Sequence, residues 1–137
     1  MKIAIASSGE DIKSEISRFF GRAPFFVLVD MKDKEITSSE VIENSSALQS
    51  GGAGIKTAQL LANEGVDALI SFSTGPNAFE ILNKLDIKIY KATEGSVEEN
   101  LMLFKEGKLE EIKSPANAQE EWVEEFAEPP VPQDMIL

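Results

Sequence analysis

Short apolar runs, separated by glycine, proline and polar residues, divide the chain into alternating strands and helices. Residues 2–6 (KIAIA) and residues 25–30 (FFVLVD) are continuous apolar runs, which are typical of buried strands. Residues 35–43 follow a polar turn, and their weak alternation predicts an edge strand. Because that turn is short, the second and third strands are expected to be antiparallel.

The middle of the chain has helical spacing before and after another apolar run. Residues 55–64 place apolar side chains on one helical face and precede Gly65, a residue typical of the position after a helix. Residues 66–72 (VDALISF) predict a buried strand. Gly75 and Pro76 then indicate a helix start, because the missing N–H of proline costs nothing at the first helical position.

The last regular elements follow the same alternation. Residues 87–91 (IKIYK) predict a strand, and Ser96 with Glu99 forms a capping-box pattern that opens a helix ending near Gly107. Residues 109–112 predict either a short extra strand or a packed tail. The alternation implies parallel strands with right-handed crossovers, and the first hairpin adds antiparallel strands. The predicted fold class is α/β, a mixed five-stranded sheet with helices on its faces.

The composition changes near the end of the chain. Residues 1–112 are predicted to form one α/β domain, and residues 113–137 an acidic, proline-rich tail that is expected to be disordered. Trp122 and Phe126 could lie on one side of a short helical stretch in this tail. Two interpretations remain open: a solvated extension, or a peptide that binds a protein partner through these two anchors.

Composition excludes several kinds of site. The chain has no cysteine and no histidine, so a Ser-His-Asp triad, a thiolate nucleophile and a His/Cys zinc site are impossible. The net charge of −11 argues against binding to nucleic acid or to an anionic membrane. No apolar run approaches the roughly 20 residues that span a bilayer. The first residues resemble a strand more than a signal peptide, so a cytoplasmic location is expected.

Two turns that open helices are the main candidates for a ligand site. Helix N-termini attract anions because their backbone N–H groups lack intrahelical partners and the helix dipole is positive there. Residues 50–54 are rich in glycine, and residues 71–78 end a strand and open a helix, at the strand edge where α/β sheets bind ligands. The candidate residues in these turns are Gly52, Gly54, Thr74, Gly75 and Asn77.

Other candidates lie outside these two turns. Ser7 and Ser8 follow the first strand and occupy an equivalent place at the sheet edge. Arg22 lies between a glycine and a proline, where it could bind an anion through two N–H groups or pair with a carboxylate. The glycine-rich turn is not a P-loop, because Ile55 separates the last glycine from Lys56. No converging carboxylates support a nuclease, and we expect a protein that is not an enzyme.

Several segments together resemble one known family. They are MKIAIAS at the start, FGRAPFFVLVD at residues 20–30, GAG at 52–54, GVDALI at 65–70, GPNAF at 75–79 and EGSVEENL at 94–101. In this order, over about residues 1–112, they are similar to the dinitrogenase iron–molybdenum cofactor-binding family. The resemblance implies a ribonuclease H-like, three-layer fold. It also implies that an iron–molybdenum–sulfur or molybdenum–sulfur cluster is bound or carried.

The resemblance also indicates which residues would bind the cluster. The matching positions are Ser7, Ser8, residues 20–23 (FGRA), residues 52–54 (GAG) and residues 75–78 (GPNA). Family members that bind the cofactor commonly have a histidine before FGRA, where this chain has Phe19. The expected function is a non-catalytic carrier that holds an anionic cluster through backbone N–H groups and Arg22, without His or Cys ligands. The alternative is a regulatory module with a vestigial pocket and a partner-binding acidic tail.

Overall fold

A computed structural model describes residues 1–48 and 52–113 of the chain. The described elements are β1 (Lys2–Ser7), β2 (Phe25–Lys32), β3 (Glu35–Glu43), a 3₁₀ helix (Ser45–Leu48), α1 (Ala53–Asn63), β4 (Ala68–Ser71), α2 (Pro76–Lys84), β5 (Lys88–Lys91), α3 (Val97–Lys105) and β6 (Glu111–Ile112). The tail from residue 114, including Trp122 and Phe126, lies outside the described residues, as do residues 49–51.

The strands form one mixed sheet in the order β3-β2-β1-β4-β5-β6. β1, β4 and β5 are parallel, whereas β2 and β3 form an antiparallel hairpin beside β1. β3 lies at one edge and its side chains are mostly exposed, which confirms the predicted edge strand. Because the parallel strands point the same way, their carboxyl ends and the turns that follow them share one edge of the sheet.

Apolar side chains alternate between the two faces of the sheet. Ala4 and Ala6 of β1 belong to the core beneath α1 and α2, whereas Ile3 and Ile5 belong to the opposite core beneath α3. The small alanines leave room for two helices on the first face. The three-layer α/β fold expected from the sequence is therefore confirmed.

The sheet contains six strands among the described residues, so the expectation of five is corrected. Glu111 and Ile112 pair antiparallel with Tyr90 and Ile89 and form β6. A two-residue strand carries too little periodicity to be separated from a packed tail by sequence alone. No described helix has the length and apolar character needed to cross a bilayer.

Local sequence determinants account for the helix boundaries. Pro76 occupies the first turn of α2, and Gly65 has a φ of 77° after α1, as expected for a helix-terminating glycine. The side chain of Ser96 accepts a hydrogen bond from the Glu99 N–H, and Glu99 accepts one from the Ser96 N–H, so the predicted capping box is present.

Candidate functional site

The N-termini of α1 and α2 lie side by side at the carboxyl edge of the parallel strands. Lys56 N–H donates to the Gly52 carbonyl, and Phe79 N–H donates to the Gly75 carbonyl, so the preceding N–H groups have no intrahelical acceptor. Neither helix has a side-chain cap, in contrast to α3. Two helix N-termini without side-chain caps, each carrying partial positive charge, therefore lie at the same edge of the sheet.

A cleft of about 440 Å³ lies between these helix ends and the loop that precedes β2. Its lining comprises Phe19, Phe20, Gly21, Arg22, Gly52, Ala53, Gly54, Ile55, Ser73, Thr74, Gly75, Pro76, Asn77 and Ala78. The structure thus brings together six of the eight residues predicted from the sequence: Arg22, Gly52, Gly54, Thr74, Gly75 and Asn77.

The other two predicted residues have local partners away from the cleft. The Ser7 hydroxyl is buried and donates to the Gly9 carbonyl, 2.8 Å away. The Ser8 hydroxyl donates to the Glu15 carbonyl, also 2.8 Å away. The segment around Ile16 pairs with the end of β1, so this turn binds another part of the chain and contributes nothing to the lining of the cleft.

Glycines allow the parts of the cleft to approach one another closely. A Cβ atom on Gly21 would lie 2.9 Å from the Gly54 nitrogen, and one on Gly54 would lie 3.3 Å from the Ala78 Cβ. Gly75 has φ 81° and ψ 153°, a conformation that is essentially restricted to glycine. These glycines therefore set the spacing of the loop and the two helix ends.

The loop of residues 19–22 is held directly against the turn before α2. Phe20 N–H donates to the Ser73 carbonyl over 2.9 Å, and Phe19 and Ser73 form an isolated parallel bridge. Arg22 is exposed at the rim, where its Nη1 donates a long hydrogen bond of 3.4 Å to the Ala47 carbonyl. Among the described residues its guanidinium has no carboxylate partner, so its charge is not neutralised by an ion pair.

Thr74 supplies a buried polar group in the wall of the cleft. The residue is 7% exposed, and its hydroxyl has no hydrogen-bond partner among the described residues. Ser71, at the end of β4, is also buried with an unpartnered hydroxyl, but it does not line the cleft. An unpaired buried hydroxyl is destabilising, so an acceptor that reached the Thr74 hydroxyl would remove this cost.

The cleft differs electrostatically from the rest of the chain. The protein has 24 acidic residues, yet the described lining contains no aspartate or glutamate and one arginine. Within residues 1–48 and 52–113, no three acidic side chains come close enough to hold a metal ion together. The arrangement offers hydrogen-bond donors and positive charge without a carboxylate, which suits an anion better than a bare cation.

The sequence did not identify the apolar part of the lining. Ile55, Pro76 and the ring of Phe19 share the cleft with the donor groups. Their apolar character also suits a core position, so the pattern alone does not separate core residues from lining residues. The family resemblance did point to one of them. Phe19 occupies the position before FGRA where cofactor-binding members commonly have a histidine, and it lines the cleft.

Sequence relatives, a solved structure and a family model were compared with this chain, and their results agree with one another. Two uncharacterised proteins of Methanocaldococcus jannaschii are 38% and 31% identical to this chain, over 82% and 84% of it and 92% and 97% of their own lengths. The apo form of the orange protein from Desulfovibrio gigas has a similar structure, with a TM-score of 0.77 and 31% identity over 82% of this chain and 93% of that chain. The model of the family described as dinitrogenase iron-molybdenum cofactor matches residues 1–107. The chain therefore belongs to the dinitrogenase iron–molybdenum cofactor family.

Proposed function

We propose that this protein binds and carries an anionic metal–sulfur cluster, of the iron–molybdenum–sulfur or molybdenum–sulfur type, in the cleft between α1 and α2. The cluster is cargo, and the protein stores or delivers it without catalysing a reaction. Family membership supports a role in cofactor binding, and the orange protein, one of the structural relatives, is described in an apo form.

The observation that carries this proposal is the absence of carboxylates from the described lining of the cleft, where hydrogen-bond donors and Arg22 are present. An acidic protein generally repels an anion, so a ligand site needs a local region without carboxylates. The described lining has none, and it combines Arg22, two helix N-termini and the unpartnered Thr74 hydroxyl. Each of these groups favours negative charge or a hydrogen-bond acceptor.

The apolar lining favours a sulfur-rich anion over an oxyanion. The side chains of Phe19, Ile55 and Pro76 line the cleft and offer no hydrogen bonds to an anion. A strongly hydrated oxyanion would lose more solvation here than a large sulfide anion, whose charge is more diffuse.

The cluster would be held without direct bonds from protein side chains to metal. The chain has no cysteine or histidine, and the described lining has no carboxylate. Backbone N–H groups of Gly54 and Asn77, together with the Arg22 guanidinium, would bind the outer atoms of the cluster. Such binding is reversible, because no metal–ligand bond has to be broken when the cargo leaves.

Uptake of tetrathiomolybdate under anaerobic conditions tests this function. After gel filtration, the wild-type protein should retain visible absorption in a saturable amount, and molybdate should compete weakly. Arg22→Ala should weaken binding by about tenfold or more, because a charge-assisted hydrogen bond contributes about 1.5–3 kcal/mol.

Arg18 provides the matched control. Its guanidinium stacks over the Phe72 ring, 5.3 Å from the centroid, and it does not line the cleft. Arg18→Ala removes the same charge from the chain, so it should leave binding nearly unchanged. If wild-type protein retains no tetrathiomolybdate, or if the two arginine variants behave alike, the proposed site is wrong.

A further inference from the structure

Asn44 is a buried polar residue that the proposed ligand site does not use. It follows the last residue of β3 and is 3% exposed, and it does not line the cleft. A buried carboxamide is retained at low cost only when its hydrogen bonds are made. The partners of Asn44 all belong to segments that form or support the cleft.

One end of the side chain holds the loop that carries Arg22. Asn44 Nδ2 donates to the Ala23 carbonyl over 2.9 Å and, more weakly, to the Gly21 carbonyl over 3.5 Å. The backbone N–H of Asn44 also donates to the Pro24 carbonyl over 2.9 Å. A single residue therefore donates to backbone carbonyls on both sides of Arg22.

The other end of the side chain holds α1 and the 3₁₀ helix. Asn44 Oδ1 accepts from the Thr57 hydroxyl over 3.3 Å and from the Ser46 N–H over 3.2 Å. Thr57 is fully buried on the second turn of α1, one turn beyond the N–H groups that face the cleft. The Asn44 carbonyl accepts from the Ala47 N–H, and the Ala47 carbonyl in turn accepts from Arg22.

We propose that Asn44 is the positioning residue of the cleft. Its carboxamide joins the Arg22 loop to α1 and thereby fixes how far the guanidinium lies from the N-terminal turn of the helix. Only a carboxamide provides a donor and an acceptor in this geometry. A carboxylate would place an acceptor against the Ala23 carbonyl, and an aliphatic side chain would leave the Thr57 hydroxyl unpaired. The effect on ligand binding rests on the proposed function, whereas the effect on the loop does not.

Asn100 allows a matched comparison. It is also fully buried, and its side chain donates to the Thr93 and Ser96 carbonyls and accepts from the Thr93 N–H. It belongs to α3 and lies outside the cleft lining. Asn44→Asp and Asn100→Asp therefore make the same chemical change in two similar networks, and both should lower the Tm.

The experiment measures amide hydrogen exchange and tetrathiomolybdate binding in these variants. Asn44→Asp should speed exchange at Phe20 and Lys56, whose N–H groups donate to the Ser73 and Gly52 carbonyls. It should also weaken binding by about tenfold, the loss expected for Arg22→Ala, because Arg22 is no longer held beside α1. Asn100→Asp should change neither. Thr57→Val keeps the volume and removes one partner, so it should produce a smaller change in the same direction, and Thr57→Ser should restore wild-type behaviour.

The outcomes separate this inference from the proposed function. If wild-type protein binds no tetrathiomolybdate, the proposed function fails, and the exchange data still test the role of Asn44. If exchange at Phe20 and Lys56 is as slow in Asn44→Asp and Thr57→Val as in wild type, the inference is overturned. It is also overturned if the Asn44 and Asn100 variants lose affinity equally. Should Asn44→Asp not fold, the Thr57 pair gives the deciding comparison.

Discussion

Gly21 contacts Gly54 so closely that a single added methyl group would not fit between them. A Cβ atom at residue 21 would lie 2.9 Å from the Gly54 nitrogen and 3.0 Å from its Cα. The neighbouring atoms are backbone, so they cannot rotate away as a flexible side chain would. The Arg22 loop and the start of α1 are therefore held at a distance that glycine alone permits.

Gly21→Ala should accordingly open the cleft and destabilise the protein. Overpacking against backbone costs about 1–3 kcal/mol, measured as the free energy of unfolding by denaturant titration. Tetrathiomolybdate binding should weaken in the same variant, because Arg22 moves away from the helix end.

Gly107→Ala is the control. Gly107 has no atom within 4 Å of its Cβ position and a φ of 73°, so the substitution should lower the free energy of unfolding through backbone strain alone. It should leave tetrathiomolybdate binding unchanged.

Thr74→Val should have opposite effects on stability and on binding. The substitution replaces an unpartnered buried hydroxyl by a methyl group of similar size, so the ligand-free protein should gain about 1 kcal/mol in free energy of unfolding. Binding of tetrathiomolybdate should weaken, because the donor is lost.

Ser71→Ala removes the other unpartnered hydroxyl outside the cleft lining. It should leave the affinity for tetrathiomolybdate unchanged. Equal affinities in wild type and Thr74→Val would exclude a contact between the Thr74 hydroxyl and the ligand.

Ser96→Ala should lower stability without changing the cleft. It removes the hydrogen bond from the Glu99 N–H to the Ser96 hydroxyl, a cap whose loss typically costs about 1 kcal/mol. Because α3 lies on the opposite face of the sheet from α1 and α2, we expect an unchanged affinity for tetrathiomolybdate. Thermal unfolding and a binding titration on the same samples check both statements, and an altered affinity would show coupling between the two faces.

Deletion of residues 114–137 tests the expected division into a domain and a tail. The removed segment carries six acidic and no basic residues, and the truncated chain keeps all the described elements. We expect an unchanged Tm and unchanged tetrathiomolybdate uptake, together with the loss of any protein partner that the full chain captures through Trp122 and Phe126. A fall in Tm would mean that the domain extends beyond residue 113.

Much of the fold follows from local sequence. Apolar runs that alternate with helical spacing predict β1 to β5 and the three α-helices, because the length of a run and a period of 3.6 residues are properties of neighbouring positions. Gly65, Pro76 and the pair Ser96–Glu99 define helix ends through contacts within a few residues, and the structure confirms each of them. β6 could not be predicted with the other strands, because a strand of two residues is too short to show a hydrophobic pattern.

The sequence by itself determined five of the six strands, the three α-helices and six residues that line one cleft. The tertiary structure decided which of the turns at the sheet edge line the same cleft. Ser7 and Ser8 lie at the predicted edge of the sheet, yet neither lines the cleft. The Ser7 hydroxyl donates to Gly9 in the local turn, and the Ser8 hydroxyl donates to Glu15, because the segment around Ile16 pairs with the end of β1. Asn44 resembles an ordinary loop residue in the sequence, and its role depends on the Ala23 carbonyl, 21 residues away along the chain. Partners so distant in sequence are chosen by the path of the backbone in space, which no local pattern encodes.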